Sequence, residues 1–137
     1  MTETTATLEV RHLRTHFFTS AGELPAVDDV SLRLERGRVL GLVGESGSGK
    51  SVTGFSILGL LDHPGKIVGG EILFKGQDLV KMDKKSLRSL QGNRIAMIFQ
   101  DPMMTLNPVL RIETQMVDAV LAHSNMSKAQ AKELARD

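Results

Sequence analysis

Cysteine is absent from the 137 residues of this chain. That absence excludes disulfides, thiolate metal sites and thiol nucleophiles, and it makes a reducing compartment the default reading. A long apolar run is also lacking. The richest stretch, Val52 to Leu61, is broken by Thr, Ser and Gly and falls well short of the roughly 20 residues a helix needs to span a bilayer. Membrane association would therefore go through a partner. The opening MTETTATLEV carries acids and has no apolar core, so no secretory signal is read there. Neither sign of charge dominates: 17 basic and 16 acidic residues leave a formal charge of +1, and no basic cluster announces nucleic acid. The four histidines are scattered. The nearest pair, His12 and His16, would lie about 13 Å apart along a strand, too far to share a metal ion. What is present is 41% hydrophobic and 24% charged residues, the profile of an ordinary globular chain of one domain's length or less.

The pattern along the chain is mixed α/β. Leu8 and Val10, then Val30, Leu32 and Leu34, alternate with polar residues and predict two peripheral antiparallel strands, joined through the turn residues of Thr19 to Pro25. Val39, Leu40, Leu42 and Val43 make a nearly continuous apolar run, which predicts a central parallel strand covered on both faces. A helix is expected from Lys50 to about Leu61, stopped by Asp62, His63, Pro64 and Gly65. A strand at Glu71 to Phe74 precedes a turn at Gly76 and Gln77, and Asp83 offers an N-cap for a short helix through Leu90. Ile95 to Phe99 reads as a second buried parallel strand. A helix is expected over Glu113 to His123, and Ser127 with Gln130 forms a capping box for a last one, which the pattern carries to the end at Asp137.

The chemistry is concentrated in GLVGESGSGKS, residues 41 to 51, between the predicted strand and helix. Gly44, Gly49, Lys50 and Ser51 satisfy GxxxxGK[ST], a match that chance gives a chain of this length on the order of one time in two hundred. Glycines let backbone N–H groups turn inward around phosphate oxygens, and the first turn of the helix adds unpaired donors and partial positive charge. Gly44, Glu45, Ser46, Gly47, Ser48, Gly49, Lys50, Ser51 and Val52 are thus the expected nucleotide-binding residues. Lys50 would reach the β and γ phosphates, and the Ser51 hydroxyl would ligate Mg²⁺. A second feature is Gln100, ending the apolar run of RIAMIFQ, where its amide oxygen can hold a metal ion or water.

GLVGESGSGKS, GEILFKGQDL and IAMIFQDPMMTLNP, together with the opening LEVRHLRTHF, resemble the ATP-binding subunits of ABC transporters, most closely the dipeptide and oligopeptide importer branch. The resemblance implies a phosphate-loop NTPase fold of the ABC type with an antiparallel β part at residues 1–36, a phosphate-loop core at 37–100 and the start of a helical subdomain at 101–137. It implies a peripheral ATPase on the cytoplasmic face of the membrane, bound to permease subunits and to a second ATPase subunit, using ATP and Mg²⁺ and making no direct contact with nucleic acid. Gln100 resembles the family's Q-loop glutamine, which meets Mg²⁺ and water and so joins Lys50 as a catalytic candidate. Phe17 falls where the family stacks an aromatic ring on adenine, with Phe18 second in line; Tyr is commoner there. The loop from Met103 to Pro108, Leu106 included, resembles the region that contacts the permease.

Three family features have no counterpart in the sequence: the LSGGQ-like signature, the apolar strand ending in Asp-Glu, and the switch histidine. ILGLLD, ending at Asp62, imitates the second of these but lies on the predicted helix leaving the loop. Glu113 and Asp118 read as solvated carboxylates of a surface helix. The expectation is an N-terminal portion of a longer subunit, inactive alone and poorly soluble or partnered, because exposed apolar faces would be left without their neighbours. Three other readings stand beside it: a soluble ABC protein acting on nucleic acid or ribosomes, a small phosphate-loop kinase, and a non-catalytic binding module. The early antiparallel strands and FQDPMMTLNP disfavour the kinase.

Overall fold

A computed structural model describes residues 6–101 and 105–136. Two compact units divide at Gln91/Gly92. The first is built on a four-stranded antiparallel sheet of order β2-β1-β3-β4, from β1 (Leu8–Thr19), β2 (Gly22–Leu34), β3 (Gly65–Phe74) and β4 (Gln77–Asp78). The alternation read from the sequence is the cause of the first pair, in which Leu8 faces Leu34, Val10 faces Leu32 and Leu13 faces Val30. A strand expected at Glu71 to Phe74 begins six residues earlier, at Gly65. It lies on the other side of β1, with Leu8 opposite Phe74 and Phe17 opposite Gly65. The sheet therefore runs past residue 36 and draws in the middle of the chain.

Val10, Leu13, Thr15 and Ile72 are the largest fully buried side chains and form the floor of this unit. Against it packs α1 (Lys50–Leu58), which buries Thr53, Ser56 and Leu58. The sequence carried this helix to about Leu61. It ends instead at Gly59, in the left-handed region at φ 65°, whose N–H bonds Phe55 and Ser56 carbonyls. Asp62 is thus outside the helix, in a turn whose carbonyl accepts the Gly65 N–H at 2.8 Å. The short helix α2 (Lys84–Leu90) is capped as its sequence requires, Asp83 accepting from the Ser86 N–H at 3.0 Å.

Two expectations fail. Residues 39–43 are in no strand, with Val39 99% and Val43 91% exposed, and residues 96–99 are likewise in none, with Ile98 98% exposed. The reason is that an apolar run only favours a buried strand. A strand exists when a neighbour takes its N–H and C=O groups, and among the described residues none does so.

The second unit holds α3 (Ile112–Leu121) and α4 (Lys128–Leu134). Val117 and Ala131 are buried among its described residues, and Glu113 of α3 meets Lys132 of α4 at 2.6 Å. Glu113 is therefore a partner in an ion pair; Asp118 is exposed. The predicted capping box at Ser127 and Gln130 is present in both directions, and α4 closes at Leu134.

Candidate functional site

The phosphate loop and its helix are local consequences of glycine placement. Ser48 N–H bonds the Glu45 carbonyl at 3.2 Å to close a turn, and Gly47 and Gly49 sit at φ 79° and 90°, a region that side chains rarely adopt. Gly49 also caps α1. It contributes no side-chain bond to the first turn, and that turn holds no acidic residue. The leading N–H groups of α1 therefore keep their hydrogen-bonding capacity beside a positive helix end, which is where an anion is most favourably placed.

Lys50 is half-buried and lies across the loop. Its Nζ donates to the Gly44 carbonyl at 2.7 Å, the Glu45 carbonyl at 2.6 Å and Ser48 Oγ at 3.2 Å. The ammonium group is thus held among the loop's own oxygens. Ser51 follows as an exposed residue in the first turn, and Val52 is half-buried. Gly44, Glu45, Ser46, Gly47 and Ser48 are exposed, and Gly49 is half-buried.

The loop is anchored to the sheet by a close approach. A Cβ on Gly49 would lie 2.5 Å from the Ala26 carbonyl oxygen of β2. Ala26 occupies a bulge, since Val27 pairs with Thr15 and Pro25 with the adjacent His16, leaving Ala26 unopposed. One strand further on is Phe17. Thr15 and Phe17 share the face of β1 turned toward α1, for Thr15 Oγ1 meets Ser56 Oγ at 2.8 Å. Phe18 takes the opposite face, 42% exposed, with Lys66 Nζ 5.7 Å from its ring centre. The face that bears the loop's helix is that of Phe17.

His12 and His16 each face a carboxylate, Nδ1 to Asp29 at 2.7 Å and to Glu23 at 2.5 Å. Gln100 belongs to the second unit, exposed at a bend rather than at the end of a strand. Met103 and Met104 lie outside the described residues. Leu106 is 48% exposed. The loop behind it is clamped to α3 by Gln115, which accepts from the Asn107 N–H at 2.8 Å and donates to the Asn107 and Leu110 carbonyls at 3.0 Å. Sequence reading missed this clamp, as it missed the Ala26 bulge; an isolated glutamine and an alanine carry no signal of a partner distant along the chain.

Known proteins resemble this chain along most of its length. A family model described as ABC transporter matches residues 27–137. Over 129 residues the chain is 47% identical to a probable peptide ABC transporter ATP-binding protein of Sinorhizobium fredii, covering 93% of this chain and 38% of that one. The oligopeptide transport ATP-binding protein OppD of Escherichia coli is 45% identical, with 93% and 38% covered. The dipeptide transport ATP-binding protein DppD of the same organism is 42% identical, with 96% and 40% covered. The chain thus spans about two-fifths of the length of these curated relatives. Among solved structures, a dimeric bacterial ABC transporter cassette superposes with a TM-score of 0.76 at 20% identity, over 92% of this chain and 53% of that one. A second dimeric cassette structure, of a post-hydrolysis state bound to ADP and Pi, gives the same score over 94% and 54%. At such identity the likeness establishes the fold.

Proposed function

We propose, from the premise that this chain belongs to the ABC transporter family, that it binds ATP at residues 44–52 as the energy-coupling part of an importer for peptides or similar solutes. The observation that carries the reading is Lys50 poised among the carbonyls of a glycine loop that opens a helix free of acidic residues in its first turn. In this reading Lys50 leaves the Gly44 and Glu45 oxygens for the β and γ phosphates. Backbone N–H groups of Glu45 to Val52 take the remaining phosphate oxygens. Phe17 lies against the base.

Mg²⁺ suits oxygen donors, and it would be held by the Ser51 hydroxyl together with phosphate oxygens. Bound there, it supplies positive charge to the triphosphate. The names of the relatives support peptides as the solute, and the state described with ADP and Pi supports nucleotide turnover. A peripheral position on the cytoplasmic face, permease subunits and a second ATPase subunit complete the proposal, with the loop around Leu106 as the permease contact. The division into a β part at 1–36, a phosphate-loop core at 37–100 and the start of a helical subdomain at 101–137 is proposed with it. The 137 residues contain no signature motif, Asp-Glu strand or switch histidine, so binding is expected from them without appreciable hydrolysis.

Calorimetric titration of the full chain with MgATP tests the site. Lys50→Ala is expected to abolish tight binding, because a full positive charge at the β and γ phosphates is lost. Equal affinity in that variant would overturn the reading, and rapid phosphate release by the unaltered 137 residues would overturn its second half.

A further inference from the structure

We propose that Gly65 is a positioning residue for the nucleotide base, acting through Phe17; the inference rests on Phe17 being the surface against which the base stacks. Phe17 and Gly65 are the last register pair between β1 and β3. Gly65 does not occupy the left-handed region, so its backbone would accept a side chain. Space is what is short. A Cβ at Gly65 would lie 3.0 Å from Phe17 Cε1 and 3.2 Å from Phe17 Cζ, and 3.0 Å from the Asp62 carbonyl oxygen. That carbonyl is fixed, since it accepts the Gly65 N–H at 2.8 Å and closes the turn. The ring is then the part that must yield. Glycine at 65 leaves the edge of the Phe17 ring resting on bare backbone, a cross-strand pairing of aromatic and glycine.

The same strands fix the ring's distance from the loop. Gly49 abuts Ala26, which sits between the partners of Thr15 and His16, and Phe17 is two residues beyond Thr15 on the same face, about 7 Å along the strand. Phosphate loop and aromatic surface are thereby set on one strand pair, and the tilt of the ring is the remaining variable. Gly65 sets it. A side chain there displaces the ring from the base while leaving the triphosphate contacts untouched.

The test is a thermodynamic cycle on the full chain, with Kd measured for MgATP and for inorganic tripolyphosphate in the unaltered protein, Gly65→Val, Gly65→Ala, Phe17→Ala and the Phe17→Ala/Gly65→Val pair. Gly65→Val is expected to weaken ATP about three- to tenfold, the range of one aromatic stacking contact, with Gly65→Ala weakening it less. Tripolyphosphate affinity should not change, and Gly65→Val should add nothing once Phe17 is removed. Gly65→Ala, the smallest side chain, keeps the test valid if valine impairs folding. Unchanged ATP affinity in both Gly65 variants, an equal loss for tripolyphosphate, or a loss that persists in the Phe17→Ala background would overturn the role of Gly65. Failure of the base-stacking reading is distinguishable: Phe17→Ala would then bind ATP as the unaltered protein does, and the inference would fall with it.

Discussion

Asp78 shows how one carboxylate is tuned at the end of a strand. Its side chain is only 13% exposed, and burial by itself would push the carboxyl up. Against that, Lys81 Nζ stands 3.1 Å from Oδ2, and Oδ1 accepts the Val80 N–H at 3.1 Å and the Ile72 N–H at 3.4 Å. These outweigh the burial and hold the carboxyl below the usual carboxylate range. A depressed folded-state pKa means that the unfolded chain takes up the proton first as pH falls. The contribution is therefore present above the ordinary aspartate value of about 3.9 and is lost below it. In urea titrations from pH 7 to pH 2.5, the stability difference between the unaltered chain and Asp78→Asn should shrink as pH drops through about 4. A difference independent of pH would refute this.

Packing, more than propensity, holds α1. Nine residues make a helix too short to stand alone, and Val52, Thr53 and Gly54 are poor helix formers. Its hold on the sheet includes a relay of hydroxyls: Ser56 Oγ donates to the Val52 carbonyl at 2.7 Å, which leaves it to accept from Thr15 Oγ1 at 2.8 Å. Thr15 is fully buried, so its hydroxyl has no recourse to water. Ser56→Ala should cost about 1–3 kcal/mol by leaving that hydroxyl unpaired. The Thr15→Val/Ser56→Ala pair should be less destabilised than the sum of the single variants, measured by chemical denaturation. Additivity would mean that the two hydroxyls do not act together. The far end of the helix is closed by side chains as well, with Gln91 Nε2 donating to the Leu58 carbonyl at 2.6 Å. Leu87 lies where a Cβ on Gly59 would be, 2.5 Å from its Cδ2. Leu60 and Leu61 continue the apolar pattern that suggested a longer helix, but the cap at Gly59 wins.

For the whole chain, the apolar surface decides behaviour in solution. Val39, Leu40, Leu42 and Val43 present exposed apolar side chains outside any strand, and Ile98 is exposed in the second unit. Such an exposed apolar segment is a surface for another chain. Sedimentation velocity at tens of micromolar is expected to show species heavier than the 14.9 kDa monomer, or binding to a partner when one is supplied. A monomer with a sharp cooperative melt would contradict this.

The sequence alone determined what depends on near neighbours. The Asp83 cap, the Ser127–Gln130 box and the alternation of β1 and β2 are each set by residues a few positions apart, and each is found where the pattern put it. Only the tertiary structure decided matters between residues distant along the chain. It chose Phe17 over Phe18 as the ring on the α1 face, seated Gly49 against the bulged Ala26, and laid Phe17 over Gly65. It also left residues 39–43 without a strand partner, although their composition is that of a buried strand. Hydrophobicity says which side chains avoid water, a local property; pairing and steric contact need the coordinates of the other residue.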